Sequence, residues 1–97
     1  MIERFRGNGF YVLDEPEAAL SPQRQLSAIT RIHELLGMRS QFVIATHSPI
    51  LMAYPDAWIY QVGPDGVQRV DYRDTEHYRV AKAFLQNPDA FLRELMA

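Results

Sequence analysis

Phe10-Tyr11-Val12-Leu13-Asp14-Glu15-Pro16-Glu17-Ala18-Ala19-Leu20-Ser21-Pro22 is the stretch on which the fold turns. Its first four residues form an unbroken apolar run, the pattern of a parallel strand covered on both sides. The run stops at Asp14-Glu15-Pro16, where proline removes an amide donor and steers the residue before it out of helical geometry, so a loop is expected there. Ser21-Pro22 then reads as an N-cap and first helical position. Leu26, Ile29, His33 and Leu36 repeat at a spacing that lines one helix face, and Gly37 supplies the stop. A second apolar run, Phe42-Val43-Ile44-Ala45, ends at Thr46-His47-Ser48-Pro49. Strand, helix, strand with so short a spacing predicts two parallel strands joined by a right-handed crossover.

Working outward, Gly7-Asn8-Gly9 marks a turn before the first strand. Downstream, Trp58-Ile59-Tyr60-Gln61-Val62 and Val67-Gln68-Arg69-Val70 flank Gly63-Pro64-Asp65-Gly66, which predicts a β-hairpin at the edge of the same sheet. A helix pattern runs from Thr75 through Tyr78, Ala81 and Leu85 to a break at Asn87-Pro88, and Phe91, Leu92 and Leu95 predict a last short helix. The expected fold class is α/β, with no internal repeat and no low-complexity segment. The tail, with His77, Tyr78 and Arg79, reads as an amphipathic helix packed on the sheet, a docking surface being the other reading. Arg69 and Arg73 read as solvated.

Composition sets outer bounds. The 97 residues are 47% hydrophobic and 23% charged, which suits one small globular unit. Twelve acidic against ten basic residues give a formal charge of −2, with no electrostatic footprint for nucleic acid or an anionic membrane. With no cysteine there is neither a disulfide framework nor a thiolate metal site, as a cytoplasmic protein would have it. No apolar run approaches the roughly 20 residues of a membrane helix, and the start Met1-Ile2-Glu3-Arg4-Phe5-Arg6 lacks the apolar stretch of a signal peptide.

In doubly wound α/β sheets ligands sit beyond the carboxyl ends of the strands, where both polar stops fall, so Asp14, Glu15 and His47 are expected to share one crevice. Nucleotide hydrolysis needs a carboxylate for Mg²⁺, a group to position water and a group facing the γ-phosphate, and these three residue types fit those tasks. A solvated strand-end turn is the plain alternative for Asp14-Glu15, and a structural histidine for His47.

Asp14 through Ser21 resembles the Walker B and D-loop segments of ABC-type ATPases, and His47, closing the second strand, resembles the H-loop histidine of that family. Asp14-Glu15-Pro16-Glu17 and Thr46-His47-Ser48-Pro49 are more similar to soluble bacterial ATPases of the RecF, SMC and OLD groups than to transporter domains. The similarity covers nearly the whole chain. The tail from Tyr72 through Asp74-Thr75-Glu76-His77-Tyr78 to Phe91-Leu92-Arg93 also resembles the ending of small AAA-type, ABC-like ATPases. The resemblance implies a P-loop NTPase sheet with ATP and Mg²⁺ as ligands. It implies that Asp14 holds Mg²⁺, Glu15 polarises the attacking water and His47 contacts the γ-phosphate. The segment Ala19-Leu20-Ser21-Pro22 would be the D-loop at a dimer interface, with Ser21 standing where transporters usually carry aspartate.

A Walker A loop is absent, and the only lysine, Lys82, lies deep in a helical pattern. Residues 1–97 are therefore expected to be the C-terminal half of the catalytic domain, inactive alone and completed by a homodimer or by a P-loop chain. A truncated product, a fragment and a stand-alone subunit are the three readings, truncation being the favoured one. Poor stability as an isolated monomer is expected, because the apolar faces of the strands would lack covering layers. Two other functions stand beside ATP hydrolysis. One is a non-catalytic module that pairs with an intact ATPase; the other is a metal-dependent phosphoesterase with Asp14, Glu15 and His47 as ligands.

Overall fold

The computed structural model describes residues 9–97, which form two compact units divided after Pro55. The Gly7-Asn8 part of the expected turn lies outside the described residues.

In the first unit the expected strand, helix, strand order is present: β1 spans Phe10–Asp14, α1 spans Pro22–Leu36 and β2 spans Gln41–Ala45. The strands pair in parallel, with Tyr11 opposite Phe42, Val12 opposite Val43 and Asp14 opposite Ala45. Short 3-10 turns, Pro16–Ala19 and Leu51–Ala53, follow the two strands. Side chains alternate across a strand, and the alternation separates β1 sharply. Tyr11 and Leu13 are buried with Ile32, Leu35 and Leu51 as the core of the unit, while Phe10, Val12 and Val43 remain 57%, 48% and 51% exposed. The four-residue apolar run predicted a strand covered on both sides; among the described residues only one side is covered.

Ser21 caps α1 as expected, its Oγ accepting from the Arg24 amide at 3.2 Å. The buried face is not the expected one. Gln25, Ile32 and Leu35 are buried, whereas Leu26 is 50% exposed and His33 faces solvent, its Nδ1 2.8 Å from the Tyr54 hydroxyl. The buried line lies one residue back, a rotation of about 100°. Gln25 explains the shift, because an amide whose hydrogen bonds are met can be buried as readily as leucine. Its Nε2 donates to the Leu20 carbonyl at 3.3 Å, and its Oε1 accepts from the Ser48 hydroxyl. Gly37 ends the helix, but in right-handed geometry; the left-handed residue is Arg39, with φ of 62°.

In the second unit, β3 (Ile59–Gly63) and β4 (Gly66–Val70) form the expected hairpin around Pro64-Asp65, with the positive φ, 108°, on Gly66 just after the turn. The hairpin is a two-stranded sheet of its own and does not extend the β1–β2 pair, which corrects the expected edge closure. Helices α2 (Glu76–Gln86) and α3 (Pro88–Leu95) start at Thr75 and Asn87, whose side chains accept from the Tyr78 and Ala90 amides. Neither helix buries a residue fully; Phe84 and Phe91 meet edge to face at 5.8 Å. Arg69 lies 4.3 Å over the Trp58 ring, and Arg73 donates to the Tyr78 hydroxyl at 3.1 Å. No helix among the described residues is long and apolar enough to cross a membrane.

Candidate functional site

Both parallel strands end at the same edge, and their ends carry the candidate residues. Asp14 is the last residue of β1, exposed and opposite Ala45. The Glu15 amide donates to the Ala45 carbonyl at 2.7 Å, one step beyond the paired residues, and Glu15 then turns left-handed at φ 47°, ψ 53°. This conformation is uncommon for a residue with a Cβ, and such strain gathers where a site requires it. It also takes Glu15 out of the strand's alternation, so its carboxylate is not simply thrown to the face opposite Asp14.

His47 stands two residues beyond the end of β2. Its Nε2 lies 3.7 Å from Oε1 of Glu15, with both side chains open to solvent at 74% and 57%. Of the three residues expected to share one crevice, Glu15 and His47 are thus adjacent, on an open rim. Ser21 sits elsewhere along the same connection, at the start of α1, where its hydroxyl serves the helix cap.

The residue that sequence reading did not single out is Glu17. One of its carboxylate oxygens accepts from the Thr46 hydroxyl at 2.7 Å, and the other accepts from the His47 amide at 2.9 Å. Burial pushes the Glu17 carboxyl up, but the bonds from Thr46 and from the His47 amide outweigh it and hold the group below its ordinary value. Thr46 in turn accepts from the Ser48 amide at 2.9 Å, and the Ser48 hydroxyl receives the Ile50 and Leu51 amides, each at 3.2 Å. The loop that presents His47 is therefore tied both to the turn after β1 and, through Ser48 and Gln25, to α1. The available signal was a carboxylate in the turn after β1 and a hydroxyl residue, Thr46, just before His47, but no periodicity marks the two as partners.

Among the described residues no group of three or more His, Cys, Asp or Glu is arranged to hold a metal ion. That fits poorly with an all-protein metal cage. A single exposed carboxylate at a strand tip does fit Mg²⁺, which keeps much of its water and is bound through one or two carboxylates together with substrate phosphates. Lys82 has its Nζ 5.7 Å from the Tyr78 ring centroid on α2.

No family model matches the chain. Over 65 residues, 67% of its length, it is 42% identical to the chromosome partition protein Smc of Mycolicibacterium paratuberculosis (strain ATCC BAA-968 / K-10). The chain spans 5% of the length of that relative. The likeness is a distant hint of family.

Proposed function

We propose that this chain is the Walker B, D-loop and H-loop half of an ABC-type ATPase with a P-loop NTPase fold, acting on ATP-Mg²⁺ in the cytoplasm. The observation that carries the reading is the 3.7 Å approach of Glu15 and His47 at the common end of two parallel strands. Asp14 would hold Mg²⁺, which supplies charge neutralisation to the phosphates when bound. Glu15 orients a water whose oxygen attacks the γ-phosphorus. The bond from that phosphorus to the β–γ bridging oxygen breaks, ADP leaves, and the water's proton passes to Glu15 or to the phosphate. His47 donates to a γ-phosphate oxygen. Ser21, in the D-loop segment of this chain, would face the interface with a second protomer.

Residues 1–97 carry no Walker A loop, so in this reading the phosphate cradle is supplied by a segment other than these residues, in a homodimer of a full-length chain or by a complementing P-loop chain. The test is turnover by the completed assembly. Glu15→Gln should lower kcat by about 10²- to 10⁴-fold with ATP still bound. Undiminished turnover in that variant removes Glu15 from the reaction.

A second reading has its own support in the exposed apolar side chains of Phe10, Val12 and Val43: a non-catalytic module that docks on an intact P-loop ATPase and alters its rate. In that case the Glu15→Gln chain changes the partner's turnover to the same extent as the wild-type chain.

A further inference from the structure

We infer that Glu17 is a positioning residue for His47: its carboxylate latches the loop after β2 onto the turn after β1 and so keeps the imidazole beside Glu15. The inference deepens the ATPase reading, on which it rests. Nothing in the motif resemblance gives Glu17 a task of its own.

The latch joins residues 29 and 30 positions apart, through two bonds that require the same thing of Glu17. The Thr46 hydroxyl donates to one oxygen and the His47 amide donates to the other, so both oxygens act as acceptors and the ionised carboxylate is the matching form. Thr46 accepts from the Ser48 amide and gives its single hydroxyl proton to Glu17, so its donor and one of its acceptor sites are both engaged. His47 is thus held at its own amide and flanked by two residues whose hydroxyls are engaged. Its side chain is exposed, so side-chain packing does little to fix it. Glu17 ties the backbone that carries the imidazole to the turn that carries Glu15.

Glutamine has nearly the same shape but the wrong polarity. Its carbonyl can accept one of the two bonds, while its amide nitrogen is a donor facing a donor. Valine at 46 removes the hydroxyl and serine keeps it, which provides a loss and a rescue on the opposite side of the latch.

The experiment is NMR of the 97-residue chain, reading the exchange of the His47 amide and the ring resonances of His47. In the wild type the His47 amide should exchange at least roughly tenfold more slowly than a free loop amide, the change expected of one net hydrogen bond. Glu17→Gln and Thr46→Val should abolish that protection and shift the His47 ring signals. Thr46→Ser should retain both, and the amides of β1 and β2 should stay protected throughout. An unprotected His47 amide in the wild type overturns the inference without recourse to any variant. So do unmoved ring signals in a folded Glu17→Gln. Turnover does not enter this readout. Failure of the ATPase reading appears in the Glu15→Gln assay instead, and the two failures are read from separate signals.

Discussion

The amide of Glu15 donates to the carbonyl of Ala45 at 2.7 Å while Glu15 itself adopts a left-handed backbone, so the β1–β2 ladder is prolonged by a residue already turning away from it. The bond keeps Glu15 level with the end of β2, and the turn presents its carboxylate to His47. Glycine takes left-handed geometry without the steric cost that a Cβ brings. Glu15→Gly should therefore leave the chain as stable or more stable, by up to about 1 kcal/mol, while abolishing hydrolysis in the completed assembly. Denaturant titration and turnover on the same preparation test the pairing. A marked loss of stability would show that the left-handed residue is not strained.

The latch has a pH signature. The carboxyl of Glu17 is lowered from an ordinary value of 4.5, so the unfolded chain takes up a proton at a higher pH than the folded one. Its contribution to stability is present above about 4.5 and is lost as pH falls through the lower folded value. Unfolding monitored from neutral pH downward should show a fall in stability beginning near 4.5, and Glu17→Gln should remove part of that slope. An identical slope in the variant would place the acid sensitivity in other carboxyls.

Gln25 and Leu26 offer a test in which polarity misleads. Gln25→Leu adds an apolar residue to a buried position, yet it strips the Ser48 hydroxyl of its acceptor and the Leu20 carbonyl of its donor. It should destabilise by about 1–3 kcal/mol, the cost of stranded polar groups. Leu26→Gln, at a half-exposed position, should fall within about 0.5 kcal/mol of wild type. Denaturant midpoints of the two variants, compared at equal slope, give the answer. The reverse ranking would return the buried face of α1 to the line through Leu26 and His33.

Val12 and Val43 lie opposite each other in the parallel register, both about half exposed, beside exposed Phe10. An apolar strip beside open strand edges favours association. Thermal unfolding of the isolated chain should depend on concentration, and Val43→Lys should weaken that dependence in sedimentation and melting alike. A cooperative, concentration-independent melt of the wild type would mean that the strip is tolerated in the monomer.

Much of the first unit is legible in sequence because it is written locally: two apolar runs, a Ser-Pro helix start, a glycine stop. The second unit's hairpin and its Asn87-Pro88 break are legible for the same reason. What was misread depends on partners distant in the chain. The buried side of α1 hinges on Gln25, whose burial makes sense only once Ser48 and the Leu20 carbonyl are beside it. The hairpin's membership of a sheet is decided by pairing, which turn chemistry does not specify. At the site, Asp14, Glu15 and His47 are visible as polar stops to apolar runs. Glu17 is not, because its importance lies in a side-chain bond to a backbone amide thirty residues away.

The uncovered side of β1 and β2 carries a consequence for supply. Apolar surface of this kind is what chaperones and proteases survey, and small differences in stability translate into several-fold differences in steady-state amount. If a second polypeptide covers Phe10, Val12 and Val43, copies made in excess of it would be degraded, and the abundance of this chain would follow that of its counterpart without any dedicated regulator.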